Sequence, residues 1–462
     1  MTQDEAQRCR WTFCEAVKTC LMRQKQNTHR DRLIVFGRYP VPGQTKTRLI
    51  PLLGAARAAD FQRVLSERTV RTDRAFVARQ GTALEACFEG CNEKRLRRWL
   101  RSGLIFSTQC AGDLGQRMER AVREAFQEGC DRVVLHGTDI PGLTVSHLEE
   151  AFEALREKDL VLGPSTDGGY WLIGLKRHAD LFRGLEWGTS TVLAKTVAAA
   201  QHLNLSFHVL GPLTDMDTSE AVRQCMPEWA EQRPYVSVII PTLNEAARIE
   251  ESIAHARRSG DEEIIVVDGG SADNTAERAS RAGARVIKAS RGRAMQQNEG
   301  AAAARGTVLL FLHADTRLPQ GYASEVFELF LDRRTILGAF RFKTDSDEPR
   351  MRIIEFLANF RSQNLRLPYG DQALFIRKTA FEQAGGFPGI PIAEDLVLVK
   401  KLSKMGGVGT AQVEAVTSAR RWLKLGVVRT TVINQIILVG LAMGISPHTL
   451  SRIYRQPKNR ED

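Results

Sequence analysis

The sequence predicts an α/β protein with two tandem domains, each built around a mostly parallel sheet. Its 462 residues exceed what one hydrophobic core usually holds, which indicates at least two packed units. Two segments also begin alike, with a β-branched apolar run, a proline-containing loop and a helical pattern: LIVFGRYPVPG from Leu33 and VSVIIPTLNEA from Val236. In both halves further strand-like runs alternate with helical segments, the order that gives parallel sheets.

The domain boundaries are predicted from the polar, helical stretch over residues 215–234, which ends at a proline as linkers often do. We expect an N-terminal extension over 1–30, a first domain over 31–227, a linker over 228–234 and a second domain over 235–462. The extension has early acidic residues and no apolar core, so it is not expected to be a signal peptide. The second domain is expected to end in an amphipathic or apolar helix.

The composition is that of a globular protein that binds anions. The chain is 43% hydrophobic and 26% charged with a mean hydropathy of −0.25, which excludes a disordered, collagen-like or polytopic membrane protein. A net charge of +11 and a pI of about 9.4 favour anionic partners. No nucleic-acid partner is expected, because aromatic residues are not interleaved with the basic ones.

The cysteines indicate reduced thiols in the cytoplasm. There are eight, and none follows Cys225, so they do not form the framework of a disulfide-rich secreted protein. Cys87 and Cys91 have no second pair or His cluster nearby, which disfavours a zinc site.

One apolar segment, Val427 to Ile445, is too polar and too short to span a bilayer, because it contains Arg429 and Asn434. A buried or interfacial helix is expected. A peripheral contact with the inner membrane face stays open, because basic residues stand at the start of the segment. These residues are Arg420, Arg421, Lys424 and Arg429.

Polar residues follow the first two strands of the second half. Thr242, Asn244 and Glu245 stand where the first strand meets its helix, and Asp268 ends the second strand. Because the carboxyl ends of parallel strands share one edge of a sheet, these groups could hold a base and ribose. The alternative for Asp268 is a turn-forming residue before two glycines.

The runs VSVIIPTLNEAARIEESI, IIVVDGGSADNT and LLFLHADT resemble the opening of family 2 glycosyltransferases, and the resemblance extends from Tyr235 almost to the end. The segments FLHADT, YGDQ and RGRA are similar to a subgroup found beside selenium-, arsenic- and radical-enzyme-related genes, the associated transferase 2 type. The resemblance implies a nucleotide-binding, Rossmann-type domain of the glycosyltransferase A kind. It also implies inverting, metal-dependent transfer from a nucleotide sugar.

The resemblance implies a divalent metal at His313-Ala314-Asp315, where the family usually has Asp-x-Asp. Asp315 is then the metal ligand, and His313 a weaker ligand or a donor to the diphosphate. Mg²⁺ prefers carboxylates and water, whereas a His ligand favours Mn²⁺. Either ion is compatible with the motif.

The family resemblance assigns the catalytic base to the pair Glu394-Asp395, usually to its Asp. The attacking hydroxyl must lose its proton as the sugar–phosphate bond breaks, which requires a carboxylate. The alternative is a solvated helix N-terminus, where adjacent carboxylates are common. The turn before the next strand carries further predicted substrate-binding residues. These are Gly370, Asp371 and Gln372.

Two basic elements are predicted to meet the diphosphate. Arg291 and Arg293 precede an Ala-rich helix, whose N-terminus suits a phosphate; an N-capped surface helix without a ligand is the alternative. Arg421 and Trp422 resemble the Arg-Trp element of related transferases, where the cation meets the leaving diphosphate or the acceptor.

The first half carries several motifs that together resemble a nucleotidyltransferase-like family. They are IVFGRYPVPGQTKTRLIPLLG, GDLGQRM, VVLHGTDIPGLT, GPSTDGGYWLIGL, EWGTSTV and LTDMDTSEA. The family is related to the guanylyltransferase of deazaflavin-cofactor biosynthesis and corresponds to the associated transferase 1 type. The resemblance implies attack of a substrate phosphate on the α-phosphorus of a nucleoside triphosphate.

Such a site needs cations, close backbone donors and carboxylates for Mg²⁺. Lys46 and Arg48 are predicted to contact the triphosphate, although a basic helix start is the alternative. Asp139 and Asp217 are the metal ligands that the resemblance implies, with Asp215 as a rival to Asp217; turns and caps are the alternative. The remaining predicted nucleotide- or substrate-binding residues are Gly43, Asp113, Asp167, Gly168 and Gly169. Trp187 to Ser190 could close over the Asp167 loop.

The sequence thus predicts a bifunctional transferase that uses a nucleotide sugar, a nucleoside triphosphate and a divalent metal. The first domain would make or bind an activated nucleotide compound, and the second would transfer a sugar to an acceptor. The alternative is a single-activity glycosyltransferase, acting at a membrane surface on a lipid acceptor, whose first domain only binds nucleotide. The oligomeric state is not predicted.

Overall fold

The computed structural model describes residues 31–231, 233–257 and 261–455, so the predicted extension over 1–30 lies outside the described residues. At positions 421, 428, 442 and 453–455 only the backbone is described. The chain forms two compact units, one of residues 31–40 and 61–228 and the other of 41–60 and 229 onward. Segment 41–60, which the sequence assigns to the first domain, therefore packs with the second unit.

The first unit is an alternation of strands and helices. Its strands are β1 (Asp31–Arg38), β2 (Ala83–Glu89), β3 (Ile105–Thr108), β4 (Arg132–Gly137), β5 (Leu160–Pro164), β6 (Tyr170–Leu175) and β7 (Phe207–Val209). The helices from residue 41 to the boundary are α1 (Ile50–Leu53), α2 (Ala55–Gln80), α3 (Glu93–Leu100), α4 (Leu114–Gln127), α5 (Val145–Glu157), α6 (Val192–His202), α7 (Ser219–Cys225) and α8 (Pro227–Ala230). Helix α2 crosses the division between the units, and a 3-10 turn, Thr47–Leu49, precedes α1.

The sheet of the first unit has the order β3-β2-β1-β4-β6-β5-β7. Only β6 runs antiparallel to its neighbours β4 and β5. Strand β1 is buried along its apolar run Leu33 to Phe36, because helices cover both faces of a parallel sheet. The carboxyl ends of β1 and β4 therefore lie at one edge, where Asp139 follows β4.

The second unit repeats the pattern. Its strands are β8 (Val236–Thr242), β9 (Glu263–Asp268), β10 (Arg285–Lys288), β11 (Val308–Phe311), β12 (Thr316–Arg317), β13 (Thr335–Thr344), β14 (Phe375–Arg377) and β15 (Gly407–Thr417). Its helices are α9 (Ile249–Ala256), α10 (Thr275–Arg281), α11 (Arg293–Ala303), α12 (Tyr322–Leu331), α13 (Pro349–Asn364), α14 (Lys378–Gln383), α15 (Glu394–Met405), α16 (Arg420–Leu425), α17 (Val427–Ala442) and α18 (Pro447–Arg455). A 3-10 turn over Gly370–Gln372 precedes β14.

The sheet of the second unit has the order β10-β9-β8-β11-β14-β13-β15-β12. Strands β10, β9, β8 and β11 are parallel, and β14 is antiparallel to both β11 and β13. Two mostly parallel sheets with alternating helices confirm the predicted fold class, an α/β fold in two tandem domains.

Small residues let the Ala-rich helix α11 lie directly on this sheet. A Cβ at Gly300 would stand 2.4 Å from Ile239 Cγ2, so only glycine permits this approach. Helix α11 begins at Arg293, and its placement brings that residue to the carboxyl edge of the strands.

The predicted apolar helix near the C-terminus corresponds to α17. Within the described ranges, no helix is both long and apolar enough to cross a bilayer.

Candidate active site

The loops after β8 and β9 interlock at the carboxyl edge of the second sheet. The Asn244 N–H donates to Ser271 Oγ at 2.9 Å, and the Ala272 N–H donates to Asn244 Oδ1 at 2.9 Å. Asn244 adopts a φ of 57°, which Asn tolerates better than most residues. The structure thus brings the predicted residues Thr242, Glu245 and Asp268 to one edge.

The carboxylate of Asp268 is buried and shapes its own loop. Oδ2 accepts from the N–H groups of Gly270 and Ser271 at 3.1 Å each, and Oδ1 accepts from Ser271 Oγ at 2.5 Å. The turn-forming role considered as an alternative is therefore present. A carboxylate oxygen has two lone pairs, so these bonds leave acceptor capacity for a ligand.

Gln296 was not foreseen from the sequence. This buried side chain on α11 donates from Nε2 to the carbonyls of Thr242 and Val267 at 2.8 Å each, and so joins the ends of β8 and β9. No sequence signal marks it, because an isolated Gln on an Ala-rich helix looks like a surface residue.

The centre of the site is the meeting of three predicted residues, His313, Gly370 and Asp395. The Gly370 N–H donates to Asp395 Oδ2 at 2.7 Å. A Cβ at position 370 would stand 3.2 Å from Asp395 Oδ2 and 3.3 Å from His313 Nε2. The lack of a side chain at Gly370 therefore lets the imidazole and the carboxylate approach the same point.

Glu394 and Asp395 begin helix α15. Asp395 Oδ1 accepts from the Leu396 N–H at 2.8 Å, so both of its oxygens are held in place. Glu394 is buried, and its Oε1 lies 3.5 Å from Arg293 Nη1. Burial raises the pKa of Glu394, while the charge of Arg293 acts against that rise. The predicted Arg293 and the Glu394-Asp395 pair thus share one site.

Two groups at the centre have displaced pKa values. Desolvation lowers the pKa of His313 to about 3, and the charge of Arg293 acts in the same direction, so the imidazole is neutral at pH 7. Desolvation raises the pKa of Asp371 to about 6; the Arg361 cation opposes the rise and the Asp395 charge adds to it. The charge of Arg293 thus acts on both His313 and Asp371.

A second residue that the sequence did not mark is Arg361 on α13. Its guanidinium carbon lies 3.4 Å from the ring centroid of Tyr369, a cation–π contact, and its Nη2 donates to Gln372 Oε1 at 3.4 Å. Gln372 is fully buried and also donates from Nε2 to the Phe340 carbonyl at 3.0 Å. Gln372 therefore fixes the turn that carries Gly370.

The segment after His313 lies beside the residues that precede α16. The Ser418 N–H donates to the Asp315 carbonyl at 3.1 Å, and Trp422 packs its ring 5.9 Å from that of Phe342. The backbone of Arg421 lies in α16, but its side chain is outside what the structure describes. Arg291 is exposed on the loop before α11.

In the parts of the chain that the structure describes, no three His, Cys, Asp or Glu side chains are grouped to hold a metal by themselves. His313 and Asp315 supply an imidazole and a carboxylate, donors that suit a divalent ion whose other ligands come from phosphates and water. These two protein ligands fit a metal ion that is also bound by a diphosphate.

In the first unit, the predicted metal ligands lie on neighbouring backbone segments. The Met216 N–H donates to the Asp139 carbonyl at 3.0 Å, which brings Asp215 and Asp217 next to Asp139. Asp139 Oδ1 accepts from Thr138 Oγ1 at 3.2 Å, and Asp215 Oδ1 accepts from Ser165 Oγ at 3.4 Å.

The Asp167-Gly168-Gly169 loop packs against the segment that was expected to close over it. Gly168 has a φ of 90°, and a Cβ there would stand 2.2 Å from the Ser190 carbonyl oxygen. Asp167 Oδ1 accepts from the Gly169 N–H at 2.9 Å. The loop therefore depends on glycine both for its conformation and for its contact with Ser190.

The remaining predicted elements of the first half are Asp113 and the segment that carries Gly43, Lys46 and Arg48. Asp113 caps helix α4, accepting from the Gln116 N–H at 2.9 Å in a capping box. Gly43, Lys46 and Arg48 lie on segment 41–60, which belongs to the second unit. Their grouping with Asp139 in one nucleotide site stays a prediction.

Comparison with known families agrees with this division. Residues 237–390 match the family model described as glycosyl transferase family 2. Residues 72–189 match a model described as an uncharacterized protein conserved in bacteria, DUF2064. No curated protein sequence matches the chain. Residues 237–390 of the second unit are thus similar to family 2 glycosyltransferases, and the relation of the first half to deazaflavin-cofactor guanylyltransferases stays a prediction.

Several solved structures are similar to part of the chain. One, described as a nucleotide-diphospho-sugar transferase from Desulfovibrio desulfuricans G20, is 32% identical over 41% of this chain and 84% of its own, with a TM-score of 0.39. The mannosyltransferase PcManGT from Pyrobaculum calidifontis, solved with GDP-Man and Mn²⁺, is 24% identical over 40% and 56%, with a TM-score of 0.34. TarS from S. aureus, solved with UDP-GlcNAc, is 16% identical over 40% and 58%, with a TM-score of 0.33.

Proposed function

Because residues 237–390 match the family 2 glycosyltransferases, we propose that the second unit transfers a sugar from a nucleotide sugar to a hydroxyl acceptor with inversion. The observation that carries the proposal is the convergence of His313 and Asp395 on Gly370. A neutral imidazole and an oriented carboxylate at one point of a sheet edge suit a reaction that removes a proton beside a diphosphate.

The nucleotide would bind at the interlocked loops after β8 and β9. Thr242, Glu245 and Asp268 lie at that edge and offer acceptors for a ribose and a base. Arg291, Arg293 and Arg421 would neutralise the diphosphate, with Trp422 beside them. The N-terminus of α11 adds backbone donors to this anion site.

Asp395 would act as the base. The acceptor hydroxyl gives its proton to an Asp395 oxygen while its oxygen bonds to the anomeric carbon, and the bond from that carbon to the β-phosphate breaks on the opposite face. The products are the glycoside, a nucleoside diphosphate and protonated Asp395, which returns its proton to solvent. Glu394 would position this carboxylate through its pair with Arg293, and Gly370, Asp371 and Gln372 would form the floor beside it.

His313 and Asp315 would hold a divalent ion, Mg²⁺ or Mn²⁺, on the diphosphate. When bound, the ion would supply charge neutralisation to the leaving diphosphate. A nitrogen ligand such as His313 favours Mn²⁺ over Mg²⁺.

For the first unit we propose nucleotidyl transfer, with Asp139 and Asp217 as the carboxylates for a metal on the triphosphate. The backbone bond between Met216 and Asp139 supports this proposal, because it joins the two segments that carry them. Asp167, Gly168 and Gly169 would present backbone donors to the substrate. A unit that binds nucleotide without turnover is the alternative.

The second unit is tested by a thermal-shift panel of nucleotide sugars with Mg²⁺ or Mn²⁺, followed by an assay of nucleoside diphosphate release. A ligand at 100 times its Kd stabilises its site by about 2.7 kcal/mol, so a true donor raises the transition temperature. We expect one donor class to do so and to be consumed. The absence of any shift and any release across the panel contradicts glycosyl transfer.

The first unit is tested by pyrophosphate release from nucleoside triphosphates with a phosphorylated sugar and Mg²⁺. We expect Asp139→Ala to abolish release, and Asp180→Ala, which alters an exposed carboxylate of the same unit, to retain it. No release from the parent protein with any triphosphate would leave only a binding role.

A further inference from the structure

Helix α13 has its apolar side turned outward. Its inward positions are Met351, Glu355, Ala358 and Ser362, all buried. Four of its apolar side chains, and Leu365 just after it, are between 50% and 67% exposed; the exposed set is Ile353, Phe356, Leu357, Phe360 and Leu365. The spacing of three and four residues places them on one stripe, the reverse of an ordinary surface helix.

The inward polar residues of α13 are explained by the edge of β13. Strand β13 pairs with β14 only at Leu337 and Gly338, so its later residues need other partners on that side. Asn359 supplies them at Phe342, accepting from its N–H at 2.7 Å and donating to its carbonyl at 3.0 Å. Glu355 accepts from the Thr344 N–H at 2.8 Å. The sheet edge thus requires the polar face, whereas Phe356 and Phe360 are exposed, with their ring centroids 6.4 Å apart.

Helix α17 shows the same arrangement. Thr430 and Ile437 face inward and are buried, and Gly440 packs against Leu450. The exposed side chains recur at a helical spacing and are between 47% and 74% exposed, with Met443 just beyond the helix; they are Val432, Ile436, Val439 and Met443.

Phe342 contacts both α13 and α16, the helix that directly precedes α17. The Asn359 side chain on α13 bonds its backbone, and the Trp422 ring on α16, just before α17, lies 5.9 Å from its ring. Helix α17 therefore follows directly on a helix that, like α13, contacts Phe342.

The charges of these segments indicate which kind of partner could cover the exposed apolar faces of α13 and α17. Segment 349–366 has four arginines, of which Arg350 and Arg352 pair with acidic residues and Arg361 stacks on Tyr369. Arg366, at its end, is exposed. Segment 420–445 has no acidic residue and four cations: Arg420, Arg421, Lys424 and Arg429. A second copy of this surface would bring like charges together, whereas an anionic bilayer is complementary to both the apolar and the cationic groups.

We propose that the outward faces of α13 and α17 form a docking surface for an anionic lipid bilayer, with both helices lying along the interface. The apolar stripes would enter the boundary between headgroups and acyl chains, and Arg366, Arg420, Lys424 and Arg429 would meet lipid phosphates. This proposal does not rest on glycosyl transfer. It assigns the protein a place at a membrane surface whatever its donor and acceptor.

The test is co-flotation of the full-length protein with phosphatidylcholine vesicles, with and without phosphatidylglycerol. We expect binding to the anionic vesicles that weakens with salt, and a partition coefficient about tenfold or more lower for Phe356→Glu/Phe360→Glu. Ile436→Glu/Val439→Glu probes α17 in the same way. The matched control, Leu203→Glu/Val209→Glu, changes two exposed apolar residues of the first unit and should bind as the parent does.

Thermal unfolding checks that the variants remain folded, which their exposed positions favour. No binding of the parent to anionic vesicles, equal binding to both vesicle types, or unchanged binding of both double variants would overturn the proposal. A dimer in sedimentation that Phe356→Glu/Phe360→Glu abolishes, without vesicle binding, would assign the surface to a second copy. Nucleoside diphosphate release in the absence of vesicles reports separately on glycosyl transfer, so the two proposals fail independently.

Discussion

The backbone N–H of Gly370 donates a hydrogen bond of 2.7 Å to Asp395 Oδ2. This bond joins the Tyr369–Gln372 turn to the start of α15, and a Cβ at position 370 would also meet His313 Nε2 at 3.3 Å. One glycine thus sets the distance between the proposed base and the imidazole beside the proposed diphosphate site.

Replacing Gly370 tests this arrangement. In Gly370→Ala the new methyl must displace Asp395 or His313 by a few tenths of an ångström, so we expect kcat for glycosyl transfer to fall about tenfold or more with little loss of stability. Steady-state kinetics of the variant against the parent measures the effect. Gly389→Ala is the matched control, because a Cβ there has no neighbour within 4 Å. Equal losses in the two variants would contradict the assignment.

The pKa of Asp371, raised to about 6 from an ordinary 3.8, predicts a pH-dependent stability. The folded state holds this proton more tightly than the unfolded state, so the parent loses stability as pH rises from about 4 to 6 and does not regain it above 6. Asp371→Asn lacks this loss. We expect the variant to gain about 1–3 kcal/mol relative to the parent between pH 4.5 and pH 8, measured by urea unfolding. A difference between the two proteins that is the same at both pH values would contradict the raised pKa.

The identity of residue 313, a histidine, predicts a preference of the proposed site for Mn²⁺ over Mg²⁺. His313→Asp replaces a borderline nitrogen donor with a hard carboxylate, so the ratio of the rate with Mn²⁺ to the rate with Mg²⁺ should fall several-fold. Rates at saturating metal, with thermal shifts for metal and donor together, provide two independent readouts. A ratio that is unchanged, while the variant stays active, would remove His313 from the proposed metal site.

The ion pair between Arg293 and Glu394 predicts that replacing the arginine weakens binding of the sugar donor. Arg293→Ala removes a cation from the proposed diphosphate site and leaves Glu394 buried without it, so KM for the donor should rise about tenfold or more. Arg281→Ala, which breaks an exposed pair with Glu277, should leave KM unchanged. If KM for the donor is the same in both variants, Arg293 does not contact the donor.

Two glycine-to-alanine substitutions test the Asp167–Gly169 loop of the first unit. Gly168 and Gly184 both have positive φ, but only Gly168 would place a Cβ against backbone, 2.2 Å from the Ser190 oxygen. We expect Gly184→Ala to cost about 1 kcal/mol and Gly168→Ala at least about 2 kcal/mol more, measured by urea unfolding. Equal costs would show that the loop moves freely away from Ser190.

The sequence predicted the parts of the fold that depend on local pattern. The apolar runs at Val236 and Leu309 are strands β8 and β11 because buried parallel strands need continuous β-branched and aliphatic residues. The polar residues that follow them could be assigned to one sheet edge for the same reason.

The contacts that complete the site could not be predicted, because they join residues far apart in the chain. Gln296 bonds main-chain carbonyls, and Arg361 contacts an aromatic ring. These groups become neighbours only in the folded chain. The placement of segment 41–60 with the second unit has the same origin, since the Ala55 N–H donates to Asp261 Oδ2 across 206 positions of sequence.

The most direct test of the account is nucleoside diphosphate release by Asp395→Asn with the donor that the parent consumes. We expect the rate to fall about 100- to 10,000-fold, the usual contribution of a general base, while the thermal shift with the donor is retained. Asp347→Asn, which alters an exposed carboxylate of the same unit, should match the parent. Release at the parent's rate by Asp395→Asn would contradict the assignment of Asp395 as the base.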